Sequence, residues 1–227
     1  MNQQPIILSA KGVFKEFKTA EKTLPVLKGV DLELTTGEVA AVTGASGVGK
    51  STLLHILGGL DRPTRGEITI LDTAIHTQSE KALARFRNRT IGFVFQFHYL
   101  LDDFSALENV MIPLILADTP PNDARRRAEL LLGQVGLQDR TSHRPKQLSG
   151  GEQQRVAVAR ALANAPNIVL ADEPSGNLDT ATGRALHELL LELNSRQGIT
   201  FLIATHNEEL AAGCHRRFTM VDGRVHE

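Results

Sequence analysis

The sequence has little cysteine and no excess of positive charge. Its 227 residues include one cysteine, Cys214, so no disulfide can form within the chain and no metal site can be built from several thiolates. Its 25 lysines and arginines are balanced by 26 aspartates and glutamates. That balance argues against the broad basic surface of nucleic-acid-binding proteins, and the run Arg125–Arg127 is interpreted as the solvated face of a helix.

Long apolar runs are also missing. A membrane-spanning helix needs about 20 apolar residues, whereas the richest stretch, Val110–Ala117, is short and contains Pro113. Residues 1–8 lack the charged start and long apolar core of a signal peptide. We therefore expect a chain that is soluble by itself. Any role in a membrane process would require another chain to supply the membrane part.

Strand-like and helix-like segments alternate along the chain. Apolar segments bounded by turn residues predict strands at Ile6–Phe17, Val30–Leu34, Val39–Thr43, Glu67–Leu71, Ile91–Phe95, Ile168–Ala171, Thr200–Ala204 and Arg216–Val221. Helices are predicted at Lys50–Gly58 and Thr180–Asn194, and after the capping patterns Thr77/Glu80, Ser105/Glu108, Thr119-Pro120 and Ser149/Glu152. Such alternation is typical of an α/β fold with a mostly parallel sheet covered on both faces, here with a helical insertion.

The segment Gly44–Ser51 fits the phosphate-loop pattern G-x-x-x-x-G-K-[ST] and lies between a predicted strand and a predicted helix. Its glycines allow successive N–H groups to surround phosphate oxygens, and the helix adds its positive end. Lys50 is predicted to meet the β- and γ-phosphates, and the Ser51 hydroxyl to hold Mg²⁺. The residues predicted to bind nucleotide here are Gly44, Ala45, Ser46, Gly47, Val48, Gly49, Lys50, Ser51 and Thr52.

Two carboxylates, Asp172 and Glu173, follow the apolar strand Ile168–Ala171. If this strand is a parallel neighbour of the strand before the phosphate loop, Asp172 reaches the Mg²⁺ side of the nucleotide. Glu173 is then placed to orient and deprotonate the attacking water, which typically contributes about 10²–10⁴-fold. The alternative is a strand that ends in solvated charges, and the phosphate loop upstream favours the catalytic interpretation.

The segment Leu148–Arg155 (LSGGEQQR) has two interpretations. Ser149 and Glu152 form a capping box for the helix that follows, but this leaves Gly150 and Gly151 unexplained, because each weakens a helix by about 1 kcal/mol relative to alanine. Glycines at a helix start are expected where a ligand approaches the backbone closely. The segment also resembles the LSGGQ-type signature of ABC ATPases, with Glu152 where glutamine is commoner.

The other motifs of that family are present in order, and the resemblance assigns their roles. Gln96 matches the Q-loop glutamine, Asp172 and Glu173 the Walker B aspartate and catalytic glutamate, Gly176–Asp179 the D-loop, His206 the switch histidine and Phe17 the aromatic that stacks on adenine. Ser175 stands where threonine is commoner, and Asn207 where aspartate is frequent. The resemblance thus implies catalytic roles for Glu173, His206, Lys50 and Gln96, Mg²⁺ binding by Ser51, Gln96 and Asp172, and nucleotide contacts from Phe17, Ser149, Gly150, Gly151, Glu152 and Asp179.

The resemblance covers essentially the whole chain and implies a single ABC ATPase domain over residues 1–227. Its P-loop NTPase (RecA-like) core is expected at residues 1–96 and 163–227, with a mostly parallel sheet and an antiparallel N-terminal β portion. An inserted helical subdomain is expected at about residues 97–162. The resemblance further implies a head-to-tail homodimer with two ATP molecules at the interface, in which Ser149–Gly151 of one subunit faces the γ-phosphate held by the other.

The segment after Gln96 narrows the resemblance. Residues 97–110 (FHYLLDDFSALENV) closely resemble LolD-type ATPases of bacterial lipoprotein-releasing systems, and MacB-type efflux and FtsE-type cell-division ATPases are related alternatives. This implies an ATPase on the cytoplasmic face of the inner membrane, docked through Phe97–Leu101 to separate integral membrane subunits, without contact to cargo. The apolar residues of that segment are alternatively core of the helical subdomain. A P-loop kinase or GTPase explains neither Leu148–Arg155 nor His206.

Overall fold

The computed structural model describes residues 4–18 and 22–227. Residues 1–3 and 19–21 lie outside the described residues. Residues 1–3 belong both to the segment that was compared with a signal peptide and to the expected domain. Within the described ranges, no helix combines the length and hydropathy needed to cross a bilayer.

An antiparallel sheet is built around a long hairpin near the N-terminus. Its strands, in the order β2-β1-β4-β5, are β1 (Ile6–Lys18), β2 (Thr23–Thr35), β4 (Arg65–Ile70) and β5 (Thr73–Ala74). The sequence predicted only the second half of β2, because Pro25 and Gly29 are typical strand breakers. Pro25 is tolerated because β2 is an edge strand of this sheet, where a missing N–H leaves no ladder bond unmade.

The second sheet is parallel apart from its last strand. In the order β10-β9-β3-β8-β7-β6 it contains β3 (Val39–Thr43), β6 (Ile91–Val94), β7 (Ile168–Asp172), β8 (Thr200–Ala204), β9 (Arg216–Val221) and β10 (Arg224–His226). Every residue of β3 and β8 is buried, as expected for central strands covered on both faces. The carboxyl ends of β3, β6, β7 and β8 therefore meet at one edge, and the expected α/β fold is confirmed.

The helices are α1 (Lys50–Leu57), α2 (Glu80–Thr90), α3 (Ala106–Ile115), α4 (Pro121–Gln134), α5 (Gly150–Ala161), α6 (Thr180–Gln197) and α7 (Glu208–Ala212), with short 3₁₀ turns at Ile75–Thr77, Gln138–Arg140 and Pro145–Gln147. Helices α3, α4 and α5 lie in the stretch where a helical insertion was predicted. One continuous apolar core joins Val110 and Leu131 of these helices to Val169 and Phe201 of the parallel sheet. The helical layer is therefore packed on the sheet.

Two of the predicted capping boxes are confirmed. At Ser105/Glu108 and at Ser149/Glu152, the hydroxyl accepts from the glutamate N–H and the carboxylate accepts from the serine N–H. The Thr77/Glu80 pattern was wrong: α2 is capped by Ser79, which accepts from the Ala82 N–H at 3.3 Å. The Glu80 carboxylate does not bend back to the chain because it pairs with the Arg62 guanidinium at 2.7 Å.

The predicted start of α4 was off by one residue. Thr119 does not cap the helix, and Pro121 rather than Pro120 is its first residue. Pro120 is extended, with ψ 140°. A residue before proline is disfavoured in the helical region, so the second of two consecutive prolines becomes the first helical residue.

Candidate nucleotide-binding site

The phosphate loop connects β3 to α1, as the sequence predicted. Gly44 (φ 149°), Gly47 (φ 77°) and Gly49 (φ 112°) adopt conformations that other residues rarely take. A Cβ on Gly44 would lie 2.4 Å from the Met220 carbonyl oxygen, so β9 also requires a glycine there. Because α1 begins directly at Lys50, its unpaired N–H groups point into the loop, which suits an anion.

The Lys50 ammonium is held over this loop. Its Nζ donates to the carbonyl oxygens of Gly44 (2.9 Å) and Ala45 (3.1 Å) and lies 3.8 Å from Glu173 Oε1. The side chain is only 7% exposed. The positive charge therefore stands between the phosphate loop and the acidic pair after β7.

The loops at the carboxyl edge of the sheet and the β1–β2 hairpin enclose a cavity of about 620 Å³, within the usual size range of small-molecule sites. It is lined by Phe17, Leu24, Val26, Ser46, Gly47, Gly49, Lys50, Ser51, Thr52, Gln96, Glu173 and His206. Sequence reasoning missed only Leu24 and Val26, because the first half of β2 was not predicted. Leu24 and Val26 alternate within an apolar segment that faces Phe17. This alternation was the sequence signal that could have identified them.

Glu173 is held in a strained backbone conformation, with φ 45°. A non-glycine residue in the left-handed region costs about 1–3 kcal/mol and persists only when its surroundings fix it, often at functional sites. Its N–H donates to the Ala204 carbonyl oxygen at 2.8 Å. Its carboxylate Oε2 accepts from the His206 backbone N–H at 3.2 Å and lies 2.9 Å from His206 Nδ1. The predicted base and the predicted switch histidine are thus in direct contact.

Asp172 does not line the cavity, but it accepts a hydrogen bond from the hydroxyl of Ser51, which does. Burial raises the pKa of its carboxyl group above the usual value, and the negative charge of Glu173 adds to this, while the Ser51 hydrogen bond and the charges of His55 and Lys50 oppose it. Its buried Oδ1 has no hydrogen-bond partner among the described residues. An oxygen in this state is available to a cation.

Gln96 is tied to the loop that precedes α6. Its Nε2 donates to Asn177 Oδ1 at 3.1 Å, and Asn177 Nδ2 donates to the Gln96 carbonyl oxygen at 3.0 Å. A Cβ on Gly176 would lie 2.9 Å from Gln96 Nε2, so the close approach depends on that glycine. The sequence placed Asn177 in the D-loop but did not predict its contact with Gln96, because the two residues are remote along the chain.

The structure does not bring the signature residues Ser149–Glu152 or Asp179 to the lining of this cavity. Ser149 and Gly150 are exposed at the start of α5. Hydrogen bonds from the Ser149 N–H (2.8 Å) and the Ser149 hydroxyl, and a further one from Arg140 Nε (3.1 Å), lower the pKa of Glu152 to about 2. The signature run therefore begins an ordinary capped helix on the chain's own surface.

Asp179 is the N-cap residue of α6. Its Oδ1 accepts from the N–H groups of Ala181 (3.1 Å) and Thr182 (3.0 Å), and hydrogen bonding to Thr182 lowers the pKa of its carboxyl group. The cap orients the loop that runs from Glu173 into α6.

A second cavity, about 340 Å³, opens between α2, β6, α3 and α5. Its apolar lining comes from Leu60, Ala84, Ile91, Phe93, Phe95, Ile112, Pro113, Leu116, Ala161 and Pro166. We call it the apolar groove. The Leu116 side chain at its rim is 72% exposed. Because the Phe95 ring meets the Tyr99 ring edge to face at 5.4 Å, the groove adjoins the segment 97–101.

The apolar residues of that segment differ in their exposure. Phe97, Tyr99 and Leu101 are exposed, whereas Leu100 packs against the core that the helices share with the sheet. The Arg160 guanidinium donates to the carbonyl oxygens of His98 (2.7 Å) and Tyr99 (2.6 Å) and fixes the segment to α5.

Comparison with known proteins agrees with this geometry. The family model described as ABC transporter matches residues 27–176. The lipoprotein-releasing system ATP-binding proteins LolD of Bacteroides fragilis and Syntrophus aciditrophicus are 52% and 51% identical over 219 residues, with 96% of this chain and 100% and 98% of the relatives covered. The ATP-binding cassette MJ0796, solved as a dimer bound to ADP and Pi, aligns with a TM-score of 0.90 and 41% identity over 97% of each chain. The chain therefore belongs to the ABC transporter family, as one of its ATP-binding subunits.

Proposed function

We propose that this chain binds and hydrolyses ATP in a homodimer and thereby powers separate membrane subunits that release lipoproteins from the bacterial inner membrane. The observation that carries the catalytic part is the cavity where Lys50, Gln96, Glu173 and His206 meet beside the phosphate loop. The lipoprotein-releasing relatives support the transport system. In this proposal the chain is a peripheral subunit on the cytoplasmic face and never contacts cargo.

In the proposed mechanism, each group that lines the cavity has a role that follows from its position. The loop N–H groups and Lys50 hold the phosphates, and Phe17 with Leu24 and Val26 offers an apolar surface to the base. Glu173 orients the attacking water and accepts its proton. His206, in contact with Glu173 Oε2, keeps that carboxylate in place and reaches the γ-phosphate.

Mg²⁺ fits the oxygen groups at this site. Ser51, Asp172 and Gln96 would hold it, with the unpartnered Oδ1 of Asp172 as a ligand. Among the described residues there is no cluster of three or more His, Cys, Asp or Glu side chains with metal-binding geometry. Mg²⁺ typically takes one or two carboxylates together with phosphates and water. When bound, the ion supplies positive charge that neutralises phosphate oxygens.

The two glycines of the signature segment support the homodimer. A Cβ on Gly151 would lie 2.4 Å from Thr182 Cγ2, so packing against α6 explains that glycine. A Cβ on Gly150 would meet only Leu178 Cδ2, at 3.7 Å. Packing within the chain therefore leaves Gly150 unexplained, whereas the phosphate of a second subunit's nucleotide accounts for it. The dimeric structures of the similar cassette MJ0796 support a dimer.

The two positions are expected to respond differently to alanine. Gly150→Ala should leave the unfolding temperature unchanged or raised, because alanine favours the helix. It should nevertheless slow hydrolysis roughly 10²-fold, the scale of losing one backbone contact to a charged transition state. Gly151→Ala should lower stability by about 1–3 kcal/mol through overpacking against Thr182. Thermal unfolding and hydrolysis rates measured together separate the effects; full activity in Gly150→Ala would contradict the contact across the dimer.

The membrane subunits are proposed to dock at Phe97–Leu101 and at the apolar groove, which lies between the core and the helical subdomain at about residues 97–162. We expect the tagged chain to co-purify from detergent-solubilised native membranes with integral membrane proteins identified by mass spectrometry. Leu116→Asp should lose them and keep ATP binding, because burying an unpaired carboxylate in an interface is costly. The matched control is Leu130→Asp, on the exposed face of α4 outside the groove.

Each outcome of that experiment decides one part of the proposal. Retention of the membrane subunits by Leu116→Asp would exclude docking at the groove, and their absence from the wild type would exclude a transporter role. Co-purified subunits that have four spans and a large periplasmic domain, encoded apart from any ATPase, would support lipoprotein release. A fusion-type efflux partner would instead favour the MacB-type alternative.

A further inference from the structure

The loop that carries Glu173 into α6, residues 173–179, is fixed at several points. We call it the acidic loop. The Gly176 N–H donates to the Glu173 carbonyl oxygen at 2.9 Å, and the Leu178 N–H donates to the Ser175 carbonyl oxygen at 3.0 Å. The side-chain amide of Asn177 both accepts a hydrogen bond from Gln96 and donates one to it. These bonds shape a tight turn directly after the strained residue Glu173.

One anchor of the acidic loop is a partly buried side-chain hydrogen bond to α6. Ser175 Oγ and His187 Nε2 lie 2.7 Å apart, with the donor set by the tautomer of the imidazole. His187 is only 6% exposed. Burial lowers its pKa, which favours the neutral ring, although the nearby Glu209 carboxylate opposes this. None of the family motifs identified in the sequence includes His187.

The fold brings this pair close to the reacting carboxylate. Gly183, one turn before His187, also faces the acidic loop, since a Cβ on it would contact the Ser175 Cβ at 3.4 Å. A cavity of about 180 Å³ separates the loop, α6 and α7, and its lining includes Glu173, Ser175, Arg184, His187, His206 and Glu209. His187 thus holds the loop at Ser175, whereas Gln96 holds it at Asn177.

We propose that His187 is a positioning residue for ATP hydrolysis: its hydrogen bond to Ser175 holds the acidic loop so that Glu173 keeps its strained backbone and its contact with His206. A strained conformation persists only where its surroundings over-determine it, and Ser175 is two residues from Glu173. This hydrogen bond is partly buried, so water competes with it less than with an exposed one. The inference rests on the proposed ATPase function.

The test compares His187→Leu with His187→Gln in the full chain, at concentrations where ATP drives dimerisation. His187→Leu should lower kcat about 10- to 100-fold, since small misplacements of a reacting group have effects of that size, with KM for ATP unchanged within about twofold. His187→Gln places an amide nitrogen near the position of Nε2 and should restore kcat to within about threefold of wild type. Ser175→Ala should lower kcat similarly, and the double variant should lose no more than either single variant.

The matched control is Asn194→Leu on the same helix. Asn194 is also buried and polar, and donates to the carbonyl oxygens of Gly37 (2.8 Å) and Ile199 (2.7 Å), away from the acidic loop. Asn194→Leu should lower the unfolding temperature and leave kcat per folded molecule unchanged. His187→Leu with wild-type kcat, or with a loss no larger than that of Asn194→Leu at equal stability, would overturn the positioning role alone. A wild-type chain without ATP hydrolysis would overturn the proposed function and this inference together.

Discussion

Glu173→Gln is expected to abolish ATP turnover while ATP binding persists, so that ATP-bound dimers accumulate. Glutamine has nearly the same shape and can keep a hydrogen bond to His206, but it cannot accept a proton from water. Loss of a general base typically costs about 10²–10⁴-fold in rate. Hydrolysis rates, combined with size-exclusion chromatography in ATP, give both quantities. Unchanged hydrolysis would remove Glu173 as the base.

The substitution keeps the shape of the side chain, although it also removes a negative charge beside Lys50. Residue 173 has φ 45° in the structure, and glutamine tolerates that conformation no better than glutamate, so the backbone strain is the same in both proteins. Glu208→Gln is a suitable control. Glu208 is the first residue of α7, the helix that follows β8, and forms an exposed ion pair with Arg217 at 2.7 Å. Loss of this ion pair should leave the hydrolysis rate unchanged.

Ser149→Arg is expected to stop hydrolysis and leave the ATP affinity of the monomer nearly intact. Ser149 does not line the cavity of its own chain, so arginine there cannot obstruct the nucleotide held in cis. It would instead fill the space into which the phosphate of the second subunit's nucleotide is proposed to fit. Fluorescent-nucleotide binding to dilute protein and hydrolysis by concentrated protein measure the two effects.

The fold offers a matched control for the lost helix cap. Ser105 forms the same capping box at the start of α3, with its N–H donating to Glu108 at 2.7 Å. Ser105→Arg should lose a comparable cap, worth about 1 kcal/mol, and keep hydrolysis. If Ser149→Arg instead abolished nucleotide binding by the monomer, the signature would act within its own chain and the proposed dimer arrangement would be wrong.

Features set by short-range chemistry could be predicted from the sequence. The phosphate-loop pattern specifies two glycines between a strand and a helix, and Gly44 and Gly49 stand there with positive φ. The Ser149/Glu152 box is likewise complete within one helical turn. Parallel strands place their carboxyl ends together, so the cavity that joins Lys50 to Glu173 also followed from the alternation of strands and helices.

Features set by remote partners could not be predicted. Glu80 was expected to cap its own helix, but Arg62, which the chain folds next to it, takes the carboxylate. The first half of β2, which supplies Leu24 and Val26 to the cavity, was not predicted as a strand because it contains Pro25. An edge strand tolerates proline, but only the sheet order shows that β2 is an edge strand. Asn177 and His187 are recognisable only once Gln96 and Ser175 lie beside them.

The strand order has a consequence for synthesis on the ribosome. β3, which leads into the phosphate loop, is paired on one side with β8 and on the other with β9, and both come from the last part of the chain. Domains usually fold as units during translation, but this strand has no neighbour until those two have emerged. The Met220 carbonyl that fits against Gly44 arrives with β9. We therefore expect nascent or truncated chains that lack β9 to be unable to bind ATP, so that they cannot enter a dimer and inactivate an intact subunit.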